Sequence, residues 1–569
     1  MRRLLIYMAM TVLAFVSCDA LKENPDSFVR RKDWYQTPVQ CRTTLNSCYF
    51  DLHDICIPIG TFFAVEGVTD LFYTRYNHAD AQLDVSPAYC TTSQTVWNNC
   101  YQGIMKCNEA IWCIENLSKL DDKVKMPYAA EARAMRAYYY YFLTNFFDGV
   151  PYYLYPIDSK EIMEKTRHLP RTDANFIRSE LYRDLKENAL PWFTVDNGLK
   201  ARPDQIKGNR AGYALSLMLM AKFAMWYDDY DAALEALNQL QDLYGDFTAN
   251  PKSFEEKYPL EEIRWCYKNT PESIFELQNE YDPSGISYAC KWAYVAQPEL
   301  IEKKWDGVDM NWFFGSTVIH GEGLQVNRYY ASFMPAGGDN ESESTNPKYT
   351  SGLLNPLPLK VSAKSADYNA ELGRRYIILD EEAMDTGMKN GVKIDRRVYY
   401  KLGLFGVNKK DGPYVLFNQV KRNGRPWAGP EFWRQDQRSN SDGNNYKLFR
   451  YADALLMMAE CYCQLGQLEM AQKYLNITRA RAGVDPLPYS TQDEMMSNIM
   501  DERARELGGE LHRKWDLVRW GIWYERVVEN NENTNGLLQN IRRYHEYYPI
   551  SDVECSLSNY ILTNDAYEK

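Results

Sequence analysis

Three glutamates at four-residue steps, Glu502, Glu506 and Glu510, form the arrangement in this chain that most resembles reaction machinery. On a helix these steps place the carboxylates on one face, and a pair of carboxyl groups flanking a glycosidic bond is what sugar hydrolysis requires. The same stretch, DERARELGGELHRKWDLVRWG from Asp501 to Gly521, also carries Arg503, Arg505, Arg513 and Arg519. Each acid therefore has guanidinium groups within helical reach that hold it ionised, whereas a general acid must start protonated. The stretch reads as structural ion pairs closing a scaffold in preference to a catalytic pair.

Other reactive patterns do not appear in the sequence. Six histidines form no HExxH or dense cluster, there is no P-loop and no GxSxG, and Gly321-Glu322-Gly323 lacks the third glycine of a dinucleotide loop. Thirteen cysteines show no CxxC pairs; spacings such as Cys100 to Cys107 suit small apolar helix residues, and mostly free, buried thiols are expected. No metal or other cofactor is implied. With 65 basic against 77 acidic side chains, no stretch supplies the basic face that nucleic-acid binding needs.

Recognition is the chemistry that remains. Tyr73, Arg75 and Tyr76 lie in a turn-rich, aromatic segment from 60 to 90, and Trp292 and Trp312 lie in another from 280 to 315. Neither segment has a helical stripe to bury its rings, and clustered exposed aromatics usually have a partner. Ring faces stack on the C–H patches of sugars, while Arg75 can donate hydrogen bonds to hydroxyls. These five residues are the candidate ligand-binding set. Packing of the same rings onto the scaffold is the alternative.

The elements that must position them are helical. In EARAMRAYYYYFLTNFFDGVPYYLYP, from Glu131 to Pro156, Met135, Tyr139, Phe142 and Phe146 share one helix face. Tyr138 to Tyr141 span more than a full turn, so this helix must be enclosed on every side. Asp148-Gly149 and Pro151 predict its end, with the glycine accepting a left-handed conformation. A second helix, 93–116, carries Trp97, Tyr101, Ile104 and Ile111 in one stripe, with Asn108 as a satisfied core amide. Residues 210–240 repeat at 448–478 with a shift of 238, aligning Ala214 with Ala452, Leu217 with Leu455, Ala221 with Ala459, Ala233 with Ala471 and Leu237 with Leu475. Each copy predicts a helix, a tight turn and a second helix. Further helices are expected near 36–54 and 170–190. From about 244 to 445 helical periodicity fades and Gly, Pro, Asn, Asp and Ser recur.

The chain starts with Arg2-Arg3 and an apolar run from Leu4 to Val16, too short to span a bilayer and suited to a signal-peptide core. It ends at Ser17-Cys18, like a lipobox, which makes Cys18 the lipidation site. The segment Asp19 to Ser27 reads as a polar tether. No later stretch is long and apolar enough to cross a membrane.

The run E-A-R-A-M-R-A-Y-Y-Y-Y-F-L…F-F-D-G-V-P resembles the signature helix of the SusD/RagB family of surface nutrient-binding lipoproteins. The Trp97–Asn108 spacing, Asp395-Arg396-Arg397, the 501–521 patch, Tyr548-Pro549-Ile550 and Asn564 to Tyr567 resemble further family elements. Ser551 stands where the family usually has proline. The resemblance implies a mostly α fold: a superhelical scaffold of about four TPR-like αα-hairpins with a large irregular, loop-rich insertion. The expected organisation is a signal peptide over 1–17, a lipidated tether over 18–35, an N-terminal helical part over 36–244, the insertion over 245–445, and a C-terminal helical part over 446–569 packing on the first. It also implies a non-catalytic protein of the outer membrane, lipid-anchored and surface-exposed. Such a protein binds an oligosaccharide ligand and delivers it to a SusC-like TonB-dependent transporter. A peptide-capturing RagB-like lipoprotein and a helical glycoside hydrolase are the alternatives. If Cys18 carries the only anchor, Cys18→Ala releases the chain from membranes without disturbing its fold. Fractionation of a strain lacking the transporter checks this; retention of the variant there would refute lipid anchoring.

Overall fold

The computed structural model describes residues 31–56, 59–74, 78–263, 267–279, 445–531, 533–534 and 536–567; between 280 and 444 it describes short strands and Arg397. Most of the described chain is helical. The helices that build the body are α1 (Pro38–Cys56), α2 (Thr91–Leu117), α3 (Asp122–Phe147), α4 (Ala174–Asp184), α5 (Tyr213–Trp226) and α6 (Tyr230–Tyr244). After the insertion come α7 (Tyr451–Gln464), α8 (Leu468–Ala482), α9 (Gln492–Leu507), α10 (Arg513–Arg519) and α11 (Trp523–Asn530). Four strands matter for the argument: β1 (Phe72–Thr74), β2 (Ser273–Leu277), β3 (Leu324–Val326) and β4 (Tyr446–Arg450). No helix among the described residues is long and apolar enough to cross a membrane.

The helix α3 is the hub. Asp121 caps it by accepting from the Lys123 amide, and from Ala129 to Phe147 every residue is buried. Two of its tyrosines bond to backbone groups, as buried phenols require. Tyr139 donates to the Cys48 carbonyl at 2.8 Å. Tyr140 donates to the Tyr153 carbonyl at 2.9 Å and accepts from the Tyr153 amide at 3.0 Å. Tyr138 and Tyr141 both meet Phe449 edge-on, and Phe146 stacks on Tyr548 at 4.7 Å. One helix thus touches the N-terminal helices and the C-terminal part at once. Its polar face is paired as well. Arg42 binds Glu131 through two bonds of 2.7 and 2.8 Å. Arg136 reaches Asp184 at 2.7 Å and the Asn108 amide oxygen at 2.7 Å, so Asn108 fixes how α2 and α3 meet. Gly103 permits that approach, since a Cβ there would fall 2.1 Å from the Tyr139 ring.

The end of α3 differs from expectation. The left-handed residue is Asp148, at φ 64°, not Gly149. Gly149 is needed for proximity instead, because a Cβ there would lie 2.7 Å from the Thr172 carbonyl oxygen, and the Val150 backbone pairs with Thr172.

The internal repeat is structural. Adding 238 to the bounds of α5 gives those of α7, and adding it to the bounds of α6 gives those of α8. The five aligned Ala and Leu pairs are buried in both copies. Even the turn is shared: Asp228 at φ 58° corresponds to Gly466 at φ 73°. A strand pair joins the copies across the insertion. β2 runs antiparallel to β4, Tyr446 opposite Leu277, with an irregularity at Lys447–Phe449, and every residue of both strands is buried. The expected boundaries inside 245–445 fall mostly outside the described residues.

The 60–90 segment is not a single loop. It contains a short helix at Ile59–Val65, then β1, then a helical turn at Ala79–Gln82, and Phe62, Phe63, Phe72 and Tyr73 are buried. Elements of three to seven residues are too short to register as periodicity.

Because Tyr139 and Phe142 lie at the centre of this packing, replacing either by alanine is expected to cost about 3–5 kcal/mol. Urea denaturation measures this. An unchanged midpoint would remove the residue from the core.

Candidate ligand site and the ion network beneath it

The C-terminal patch builds a closed ion network. Glu272, Glu502, Glu506 and Glu510 face Arg397, Arg450, Arg479 and Arg481, and all eight side chains are buried. Arg450 reaches Glu272 at 3.0 Å, Glu506 at 2.6 Å and Glu510 at 2.8 Å. Arg481 reaches Glu272 and Glu506, both at 2.7 Å. Arg479 binds Glu502 at 3.0 Å, and Arg397 binds Glu502 at 2.5 Å and Glu506 at 3.2 Å. Burial alone raises the pKa of the Glu502 carboxyl, yet the charges of Arg397, Arg479 and Arg505 outweigh it and bring it from 4.5 down to about 2. Glu272 is lowered in the same way, burial being overcome by Arg481 and Arg450. Carboxylates held ionised in this way have no proton to give, which makes Glu502 and Glu272 unsuited to the general-acid role in glycoside hydrolysis.

A second cluster stands beside it. Asp453 pairs with Lys222 at 2.7 Å and Arg503 at 2.9 Å, and Arg503 also binds Asp516 at 2.8 Å. Arg519 grips Glu460, which also accepts from the Trp520 indole at 2.9 Å. Burial pushes His512 down to about 4, which keeps it neutral next to this cluster.

The same patch seats the first candidate ligand segment. Arg513 binds Asp70 through bonds of 2.8 and 2.6 Å, and Arg526 adds a contact to it at 3.2 Å. The Leu511 amide donates to Glu66 at 2.6 Å. The Trp523 indole donates to the Val68 carbonyl at 2.9 Å, and Asn531 donates to the carbonyls of Thr69 and Phe72 at 2.8 and 3.0 Å. Residues 66–72 are thus held by groups more than 400 positions away, and β1 emerges from that clamp. It pairs antiparallel with β3, Tyr73 opposite Gln325, which brings the insertion's backbone to the 60–90 segment.

Of the five candidate ligand residues, Tyr73 is described, and it is 0% exposed. A ring with no free face cannot stack on a sugar. Tyr73 is enclosed, and it leaves the stacking set. Arg75, Tyr76, Trp292 and Trp312 lie outside the described residues, as does Cys18. Arg75 and Tyr76 follow directly on β1.

The described surface carries one further concavity of note, a pocket of about 320 Å³ between α2, residues 151–167 and the C-terminal segment 554–562. Trp97 and Tyr101, assigned to packing from sequence, line it. Tyr101 is half-buried, donates to the Pro151 carbonyl at 2.8 Å and stacks parallel to Tyr153. Among the described residues no cluster of His, Cys, Asp and Glu is arranged to hold a metal ion.

A mostly helical body with a duplicated hairpin, an aromatic hub and an insertion that joins the Glu/Arg network through Arg397 defines a helical scaffold with one long elaborated segment. A family model described as "SusD family" matches residues 327–567, and one described as "Starch-binding associating with outer membrane" matches residues 32–185. The chain belongs to the SusD/RagB family. It is similar to SusD-like protein P25 of Formosa agariphila, with 23% identity over 99% of this chain and 98% of that relative. Its fold is similar to that of a SusD-like protein from Bacteroides fragilis (16% identity, TM-score 0.64, covering 93% and 96% of the two chains). It is also similar to that of surface glycan-binding protein A from Bacteroides thetaiotaomicron, solved with laminarihexaose (17% identity, TM-score 0.55, covering 92% and 98%).

The Glu502 carboxyl generates a stability prediction. In the folded state it protonates near 2, against 4.5 when unperturbed, a difference of about 3 kcal/mol. Its contribution is complete above about pH 5 and disappears as the pH falls through about 2. Glu502→Gln is expected to be destabilised at pH 7 and to lose stability less steeply than the parent between about pH 5 and 2. Denaturant titrations across that range check it; parallel pH profiles would contradict the pairing.

Proposed function

We propose that this chain is a non-catalytic, lipid-anchored protein of the cell surface that binds an extracellular oligosaccharide and passes it to a SusC-like TonB-dependent transporter in the outer membrane. The observation that carries the reading is membership of a family one of whose models is described as starch-binding and associated with the outer membrane. The fold neighbour solved with laminarihexaose and a second one described as laminarin-binding favour a glycan over a peptide. The ionised state of Glu502 and Glu272 supports binding without hydrolysis.

The proposed ligand surface gathers Arg75 and Tyr76 at the exit of β1 with Trp292 and Trp312 from the insertion. The clamp on residues 66–72 supports this reading, since a stacking platform needs a rigid base. Sugar rings lie on the aromatic faces, and Arg75 donates to their hydroxyls. Specificity then belongs to the insertion, and rigidity to the helical body.

Calorimetry with laminarihexaose and a panel of glycans and peptides tests the proposal. One glycan class is expected to bind, without release of reducing sugar. Alanine at Arg75, Tyr76, Trp292 or Trp312 is expected to weaken binding by about tenfold or more at an unchanged melting temperature. Tyr73→Ala is expected to lower the melting temperature instead. Wild-type affinity in all four variants would place the site elsewhere, and binding of peptides alone would overturn the glycan reading.

A further inference from the structure

Six of the ten described cysteines, all of them free, sit on one pair of helices: Cys41, Cys48 and Cys56 on α1, and Cys100, Cys107 and Cys113 on α2. The two helices run antiparallel. Gln36, just before α1, donates to the Leu117 carbonyl at the end of α2 at 3.1 Å, and Asp51, toward the other end of α1, binds Lys106 at 2.8 Å. In that register the thiols fall at three matched levels: Cys41 with Cys113, Cys48 with Cys107, and Cys56 with Cys100. The steps between levels are seven and eight residues along α1 and six and seven back along α2. All six side chains are buried.

The middle level brings two thiols onto each other. At the outer levels the sulfurs have other partners. Cys113 donates to Glu109 at 3.2 Å and accepts from Arg31 at 3.3 Å, while Cys41 donates to the Tyr35 carbonyl at 3.9 Å. Cys56 faces the Tyr138 hydroxyl, also at 3.9 Å. Cys107, by contrast, hydrogen-bonds to Cys48, whose own thiol donates to the Thr44 carbonyl at 3.9 Å. The Asp51–Lys106 ion pair holds this level in register, Asp51 being one turn on from Cys48 and Lys106 next to Cys107. The Cys48 carbonyl in turn accepts the Tyr139 hydroxyl of the hub at 2.8 Å.

We propose that Cys48 and Cys107 are an oxidisable pair that forms a disulfide as the chain folds, stapling α1 to α2 beside Tyr139. The two sulfurs exchange an S–H···S contact for a bond of about 2.05 Å. Two thiols give up two protons and two electrons, and a low-molecular-weight disulfide takes them. The thiolate of one cysteine attacks that disulfide and releases one small thiol; the thiolate of the other then attacks the mixed disulfide and releases the second. Burial sets the timing. In the folded chain desolvation pushes the Cys107 thiol well above its ordinary value, which leaves it without thiolate, and both sulfurs belong to side chains that are 0% exposed, beyond the reach of a reagent. The bond therefore closes while the helices are still open, and once enclosed it is shielded from reductants in the same way. Oxidising surroundings outside the cytosol favour such bonds, and the proposed surface location puts the chain there.

Refolding of the full-length chain tests this. The chain is reduced and unfolded in urea, diluted into a mildly alkaline mixture of oxidised and reduced glutathione, blocked with N-ethylmaleimide and mapped by peptide mass spectrometry. The expected product is a Cys48–Cys107 crosslinked peptide, with Cys41, Cys56, Cys100 and Cys113 blocked. The same reagents added to the folded, reduced chain are expected to give at least about tenfold less of it. Blocked Cys48 and Cys107, glutathione retained on either, or either sulfur joined to another cysteine would each overturn the proposal. Where dilution gives aggregate, the same map is made on chain secreted by a host into an oxidising compartment, with the same outcomes. Melting provides a second readout. The oxidised parent is expected to melt about 2–4 °C above the reduced parent, and Cys107→Ser to melt alike under both conditions. A parent that melts alike in both would refute the staple.

Discussion

The buried exchange of charge between four glutamates and four arginines is the constraint on which the architecture depends. Glu272, Arg397, Arg450, Arg479, Arg481, Glu502, Glu506 and Glu510 come from the approach to β2, the insertion, the end of β4, α8, α9 and the turn after it. None of these elements can shift without stranding a charge, and an uncompensated buried ion costs about 3–5 kcal/mol. Such a network adds little net stability over a well-packed apolar core. Its effect is specificity: one arrangement pairs every member, and it fixes where the insertion leaves and rejoins the helical body.

The aromatic hub works by a different physics toward the same end. Helix α3 is enclosed because four consecutive tyrosines cover more than a full turn, and an enclosed phenol needs an acceptor, as Tyr139 finds at Cys48 and Tyr140 at Tyr153. Those bonds orient α3 against its neighbours, while Gly103 lets α2 approach closely enough for the Tyr139 ring to fit. Phe146 against Tyr548 and Tyr138 against Phe449 carry the same packing into the C-terminal part. The hub and the ion network meet at β4, whose Phe449 packs on the tyrosines while Arg450 enters the charge cluster.

This construction ties the insertion to the helical body. The segment at residues 66–72 is clamped by Leu511, Arg513, Trp523, Arg526 and Asn531, from the far end of the chain, and β1 leaves that clamp to pair with β3 of the insertion.

Local repetition made much of this legible in the sequence. The 238-residue shift carried the bounds of two helices because small residues at α-helical spacing are a short-range requirement. The spacing of Glu502, Glu506 and Glu510 among arginines pointed to pairing over catalysis for the same reason. The rest depended on contacts that no local pattern encodes. Asp70 meets Arg513 across 443 positions and Glu502 meets Arg397 across 105, so the sequence could assign these residues a charge but not a partner. Tyr73 looked like an exposed platform because its surroundings show no stripe, yet it is fully enclosed on the strand that pairs with β3. The end of α3 was foreseen from Asp148-Gly149, but the positive φ falls on Asp148, while Gly149 is required by the approach of Thr172, a neighbour only in space. What the sequence determined by itself was periodicity and charge, which act within a turn or two of helix. Burial and partnership were decided by the tertiary structure, because they depend on which distant surfaces pack together.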